Sequence, residues 1–157
     1  MAEQLPIVER LQKELTELKR ELKQDIPKAL EEARAHGDLK ENAEYHAAKE
    51  RQGMLSARVG QLTARVAELS LYSKASIPRD KAGYGSEVTV EDLDSGEERV
   101  YRLVFPEEAD PGVGQVSIGS PIGQALLHRR EGDEVKVRTP TGLNSLEVTG
   151  LKTIHDQ

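Results

Sequence analysis

Ala35-His36-Gly37-Asp38 separates two long apolar stripes, and its shortness decides the fold of the first half of the chain. Before it, Val8, Leu11, Leu15, Leu18 and Leu22 recur at steps of three and four, the seam of a helix packed on a partner helix. After it, Tyr45, Ala48, Gln52, Leu55, Val59, Leu62, Val66 and Leu69 repeat those steps. Gly37 suits a left-handed helix end, and Asp38 suits the N-cap of the next helix. So short a connection forces the helices antiparallel and buries the two stripes against each other. With about 30 residues per arm at 1.5 Å each, the hairpin should be about 45 Å long.

Moving outward toward the N-terminus, the first stripe carries one irregularity. Leu22, Ile26 and Leu30 step by four and four before Ala33, a stutter expected to unwind the supercoil locally. Pro27 lies in the same place and is expected to kink or weaken the helix. Toward the C-terminus the period changes. After a linker over 73–84, Ser86–Asp92 alternates, Asp94-Ser95-Gly96 turns, and Glu98–Phe105 returns as a partner strand. Val116–Ile118 reads as a short strand. Pro121–His128 reads as a short helix with Ser120 as N-cap and Pro121 in its first turn. Glu134–Arg138 and Ser145–Ile154 are further strands around a Pro140-Thr141-Gly142 turn. The fold class is therefore α+β in two domains: a helical hairpin over residues 1–74, and a small antiparallel sheet with one short helix over residues 75–157.

Composition narrows the function. The 157 residues include four Tyr, one Phe and no Trp, too little aromatic bulk for one ordinary packed core of this size. With no Cys, disulfides, thiolate nucleophiles and Cys-ligated zinc are excluded. No apolar run is long enough for a transmembrane helix, and MAEQLPIVERLQKEL has no apolar core of a signal peptide, so a cytoplasmic protein without membrane contact is expected. Net charge is −6, a poor basis for non-specific nucleic-acid binding. Residues 1–72 carry 12 Lys and Arg against 13 Asp and Glu, and residues 73–157 carry 10 against 15, so any polyanion contact falls to the first half. Gly112-Val113-Gly114 is not a phosphate loop, and Ser117, Ser120 and His128 lack a nucleophile-elbow context.

The chemistry-bearing segment is the tip, His36 to Tyr45. Asp38 and Glu41 are three apart, which on a helix places both carboxylates on one face. Such a pair could share Mg²⁺ or orient a water, but two carboxylates are too few to hold Mg²⁺ alone. The alternative is a capping box in which Asp38 and Glu41 satisfy the first helical amides. A cap, however, does not require a long stalk. His36 and His46 flank the tip without further ligands at zinc spacing. Arg34 could pair within its helix or neutralise an RNA phosphate.

Glu32-Ala-Arg-Ala-His-Gly-Asp-Leu-Lys-Glu-Asn-Ala-Glu-Tyr-His-Ala-Ala-Lys-Glu50 closely resembles the tip segment of the bacterial GreA/GreB transcript-cleavage factors, and looks closest to the GreA side of that family. Ser120-Pro-Ile-Gly-Gln-Ala-Leu-Leu, Gly132-Asp-Glu-Val and Thr139-Pro-Thr-Gly142 carry a second match, so the resemblance spans about residues 8–155. It implies an N-terminal antiparallel coiled coil with an acidic tip at 36–45 and a C-terminal FKBP-like domain. It further implies a transcription elongation factor, associated with RNA polymerase and DNA binding. By that resemblance the factor would enter the secondary channel of bacterial RNA polymerase and stimulate the polymerase's own cleavage of backtracked nascent RNA. Asp38 and Glu41 would supply the acids that help hold a Mg²⁺ shared with the polymerase, with no cofactor bound alone. Glu44, Tyr45 and Arg34 would support the tip, and Ser120 and Pro121 would face the polymerase. The factor would act as a monomer and not as an enzyme by itself. Pro27 falls a few residues later than the family usually has it. Lys49 stands where relatives often carry Arg, whose fork lysine lacks. Other readings are a channel competitor that does not aid cleavage, a prolyl isomerase and a structural helical adaptor. An isomerase needs an aromatic-lined pocket, for which only Tyr84, Tyr101 and Phe105 are on offer in the second half.

Overall fold

The computed structural model describes residues 4–38 and 42–157 and divides the chain into two compact units, one over Gln4–Ser73 and the other containing Lys74–Gln157. In the first unit, α1 (Pro6–Arg20) runs into a wider π turn at Glu21–Asp25 and continues as α2 (Ile26–Arg34). The Ile26 N–H donates to the Glu21 carbonyl, five residues back instead of four. A π turn absorbs one extra residue. With that residue discounted, Leu18, Leu22, Ile26, Leu30 and Ala33 fall at steps of four, three, four and three, and the stripe continues unbroken. The expected stutter is thus an inserted residue taken up by the backbone, not a loosened supercoil.

Pro27 does not break the helix either. It lies in the first turn of α2, where the π turn has already displaced the regular bonding pattern and its missing N–H does least harm. The flanking residues Arg20, Asp25 and Ile26 keep right-handed helical angles.

The return helix, α3 (Ala43–Leu69), is continuous. Two ion pairs fix its direction: Arg58 reaches Glu14 at 3.1 Å and Arg51 reaches Glu21 at 2.9 Å. Seven residues up one arm match seven down the other, so the arms are antiparallel. Every second-stripe residue is buried or half-buried, and Ile26, Leu30, Ala48 and Leu55 form one apolar cluster with Leu18, Leu22, Ala29 and Tyr45 packed around it. Toward the tip Ala33 and Ala48 stand in place of leucines, with the Tyr45 ring packed on the same cluster.

The second unit is a five-stranded sheet among the described residues, in the order β3-β2-β1-β5-β4: β1 (Glu87–Asp92), β2 (Glu98–Val104), β3 (Gln115–Ser117), β4 (Glu134–Thr139) and β5 (Gly142–Lys152). The β1–β2 turn forms as expected: Asp92 Oδ1 accepts the amides of Asp94 and Ser95, and Gly96 takes a positive φ. One pairing departs from the antiparallel expectation, since β3 runs parallel to β2. The segment between them folds through two short 3₁₀ turns, Pro106–Glu108 and Pro111–Val113, and returns the chain to the start side of β2. Gly114 closes that return at φ +77, where an added Cβ would lie 2.7 Å from the Val100 carbonyl oxygen. Helix α4 (Pro121–Leu126) covers the sheet, and its buried Leu126 joins Val88, Val90, Leu103, Val116, Val135, Val137, Leu146 and Val148 in the core. The outer strand β4 alternates, with Val135 and Val137 buried and Glu134, Lys136 and Arg138 exposed.

Candidate functional site

The tip forms where α2 ends and α3 begins. The Ala35 and His36 amides donate to the Glu31 and Ala33 carbonyls, closing α2, and Gly37 turns the chain at φ +117. Asp38 follows, exposed and outside both helices. It is not the N-cap of α3. That position belongs to Asn42, four residues further on, whose Oδ1 accepts the Tyr45 amide at 3.1 Å. The N-cap role expected of Asp38 is therefore taken by Asn42, and Asp38 itself lies before α3, which starts at Ala43. Glu41 lies outside the described residues.

Asp38 lines an open hollow with His36, Asn42, Ala43 and Glu44. Within it the His36 Nε2 and Glu44 Oε2 are 4.0 Å apart, both well exposed, so their attraction is screened by water. Among the described residues no group of three or more His, Cys, Asp or Glu side chains could hold a metal ion. Asp38 offers a hard anionic oxygen on an exposed residue, the ligand type that Mg²⁺ takes.

The supporting residues divide. Arg34 is the exposed last residue of α2, and its carbonyl accepts the Gly37 amide at 3.4 Å. Glu44 is in the first turn of α3, where a carboxylate meets the positive end of the helix dipole. Tyr45 is half-buried and packs against the Ile26–Leu55 cluster, with His46 edge-on at 5.8 Å between ring centres. Its ring belongs mainly to the seam.

In the sheet unit, Ser120 is the cap of α4 as its sequence suggests. Its Oγ accepts the Gly123 amide at 3.1 Å and donates to the Ser117 carbonyl at 2.6 Å, tying the helix to the end of β3. Pro121 is exposed in the first turn. Gly123, which the sequence reading passed over, makes this possible: a Cβ there would sit 1.9 Å from the Ser117 carbonyl oxygen. A glycine inside a six-residue helix is the signal that could have found it. Asn42 was also missed, because Asp38 and Asn42 are equally good cap types in one short segment.

The aromatic side chains of this unit do not gather into one pocket. Tyr84 stacks on Phe105 at 4.4 Å and donates its hydroxyl to Glu108, while Tyr101 lines a separate hollow of about 150 Å³ floored by Val90, Ile122, Val137 and Leu146.

Comparison with known families gives the class of protein. The N-terminal model for transcription elongation factors matches residues 7–70, and the GreA/GreB C-terminal model for transcription elongation factors matches residues 77–153. The chain is 43% identical over 144 residues to transcription elongation factor GreA of Syntrophobacter fumaroxidans, covering 92% of each chain. Against transcription elongation factor GreA of Nitratidesulfovibrio vulgaris it is 48% identical over 143 residues, 91% of this chain and 89% of the relative. Among solved structures, the crystal structure of GreA factor homolog 1 of Thermus thermophilus is similar at 30% identity, covering 92% and 94% of the two chains, with a TM-score of 0.43. The chain belongs to the GreA/GreB family of transcription elongation factors.

Proposed function

We propose that this chain binds bacterial RNA polymerase as a monomer, inserts its hairpin as a coiled coil through the secondary channel, and stimulates the polymerase's own cleavage of backtracked nascent RNA. The observation that carries this reading is the place of Asp38. It is an exposed carboxylate in the turn between two antiparallel helices, and the structural task of capping α3 falls to a different residue, Asn42.

In this reading Asp38 and Glu41 lend acidic oxygens to a Mg²⁺ that the polymerase also ligates. The bound ion would help generate the attacking hydroxide and stabilise the leaving oxygen. The chain itself orients the carboxylates and adds negative charge where the polymerase's ligands leave the site incomplete. Arg34, Glu44 and Tyr45 support the turn. Ser120 holds the α4 end so that Pro121 presents an exposed, conformationally fixed surface from a unit read as an FKBP-like docking domain. The work is done in the cytoplasm, and no described helix is long and apolar enough to cross a membrane. The factor supplies no complete active site, so it acts as a cofactor of the polymerase's hydrolysis.

The test is transcript cleavage in stalled polymerase complexes. Asp38→Ala and Glu41→Ala should each lose stimulation while still competing with wild-type factor for the polymerase. Full stimulation by both variants would refute the assignment.

A further inference from the structure

Asn42 does more than cap a helix. Its Nδ2 donates to the Ala33 carbonyl at 2.5 Å, nine residues back and near the end of α2, while its Oδ1 accepts from the Tyr45 amide in the first turn of α3. The partners fix the amide's orientation, since a carbonyl must face the NH₂ and an N–H must face the oxygen. The Asn42 carbonyl also accepts the His46 amide at 3.1 Å, starting the α3 ladder. One short side chain thus bridges the end of one arm and the start of the other, across the base of the loop that carries Asp38.

Ala33 and Ala48 are the buried seam residues nearest that base, with the half-buried Tyr45 packed on the same cluster, whereas Leu55 and Leu62 lie further down the hairpin. An alanine side chain buries little apolar area compared with leucine, and apolar contact has no direction. A hydrogen bond between the two loop ends adds that direction, and Asn42 is half-buried in the position to make it.

From this geometry we infer that Asn42 is a positioning residue for the acidic tip: its bond to the Ala33 carbonyl sets the placement of Asp38, separately from its role as helix cap. The inference rests on the cleavage-stimulating reading of the tip. Serine and aspartate separate the two roles. Both can accept the Tyr45 amide, but serine is too short to reach Ala33, and a carboxylate cannot donate to a carbonyl. Serine leaves the local charge unchanged, which controls for the charge that aspartate adds.

The experiment measures three quantities for wild type, Asn42→Ser, Asn42→Asp and Asp38→Ala: stimulated cleavage in stalled complexes, competition for polymerase, and helicity with thermal unfolding. Asn42→Ser and Asn42→Asp should keep helicity and competition. Stimulation should fall on the order of 10–100-fold, the scale of a misplacement of about 1 Å. The Mg²⁺ concentration for half-maximal cleavage should rise, a readout that a purely structural cap would not move. If Asp38→Ala loses stimulation while Asn42→Ser and Asn42→Asp both match wild type, the positioning role is overturned and the function stands. If Asp38→Ala itself matches wild type, the functional reading fails and takes this inference with it. A loss in both Asn42 variants that tracks lowered helicity, with the Mg²⁺ half-point unmoved, also overturns it.

Discussion

Removing Gln24 tests the account of the π turn. Gln24 is exposed, within Glu21–Asp25, and its removal leaves every apolar stripe residue in place. If the turn holds one surplus residue, the shortened chain can form an uninterrupted α-helix with Leu22, Ile26, Leu30 and Ala33 still facing α3. That helix, however, puts Pro27 in its interior, where a proline costs about 3 kcal/mol in lost bonding and ring clash. In a chain of this size 1 kcal/mol moves the melting temperature by about 2–4 °C, so the deletion should lower it by about 6–12 °C. Pro27→Ala in the intact chain should change little, because the π turn already accommodates the proline. Combined with the deletion, Pro27→Ala should recover the lost 3 kcal/mol. The signature is thus strong coupling between two changes three residues apart, read from melts of the full chain followed by circular dichroism at 222 nm. Additive effects, or a deletion as stable as wild type with Pro27 present, would refute the argument.

Other outcomes follow from the close contacts. Gly123→Ala should destabilise the sheet unit on the order of 3 kcal/mol, because its Cβ meets backbone at Ser117, not a side chain that can swing away; a urea melt of the variant checks this. In α1 the Arg20 guanidinium, 2.6 Å from Glu17, holds the Glu17 carboxyl below the usual glutamate range, chiefly through their hydrogen bond. A depressed acid contributes stability above its unfolded-state pKa and loses it as pH falls through the folded value. Both side chains are exposed, so the effect on unfolding is small, but Arg20→Gln should move the Glu17 carboxyl titration upward when followed by carbon-detected NMR.

The two stripes were legible because each needs only local spacing, and the burial of Ala48, Leu55, Leu62 and Leu69 follows directly from it. What Leu22–Ile26–Leu30 meant was not legible. A four-four step is compatible with an unwound supercoil or an inserted residue, and only the backbone bond from Ile26 to Glu21 separates them. The strands were found at their alternating runs, but the parallel return of β3 depends on how Phe105–Gly114 folds, which no periodicity encodes. At the tip, the acidic segment stood out while its internal division of labour did not. Asp38 and Asn42 have the same preference for a cap, and the choice is made by the reach of an amide to Ala33, a contact nine residues distant that a propensity cannot express.

The strand order also bears on how the protein tolerates crowding. An open sheet has two margins with unpaired backbone groups that another chain can extend. Here one margin is the three-residue β3 beside the Glu98–Tyr101 stretch of β2 that β3 does not cover, where Glu98 and Arg99 are exposed, and the other sets Glu134, Lys136 and Arg138 toward water. An incoming strand would have to strip water from charged side chains on either margin. The sheet unit is thereby guarded against growing into aggregates at its margins, a safeguard that leaves its core and its α4 end unaltered.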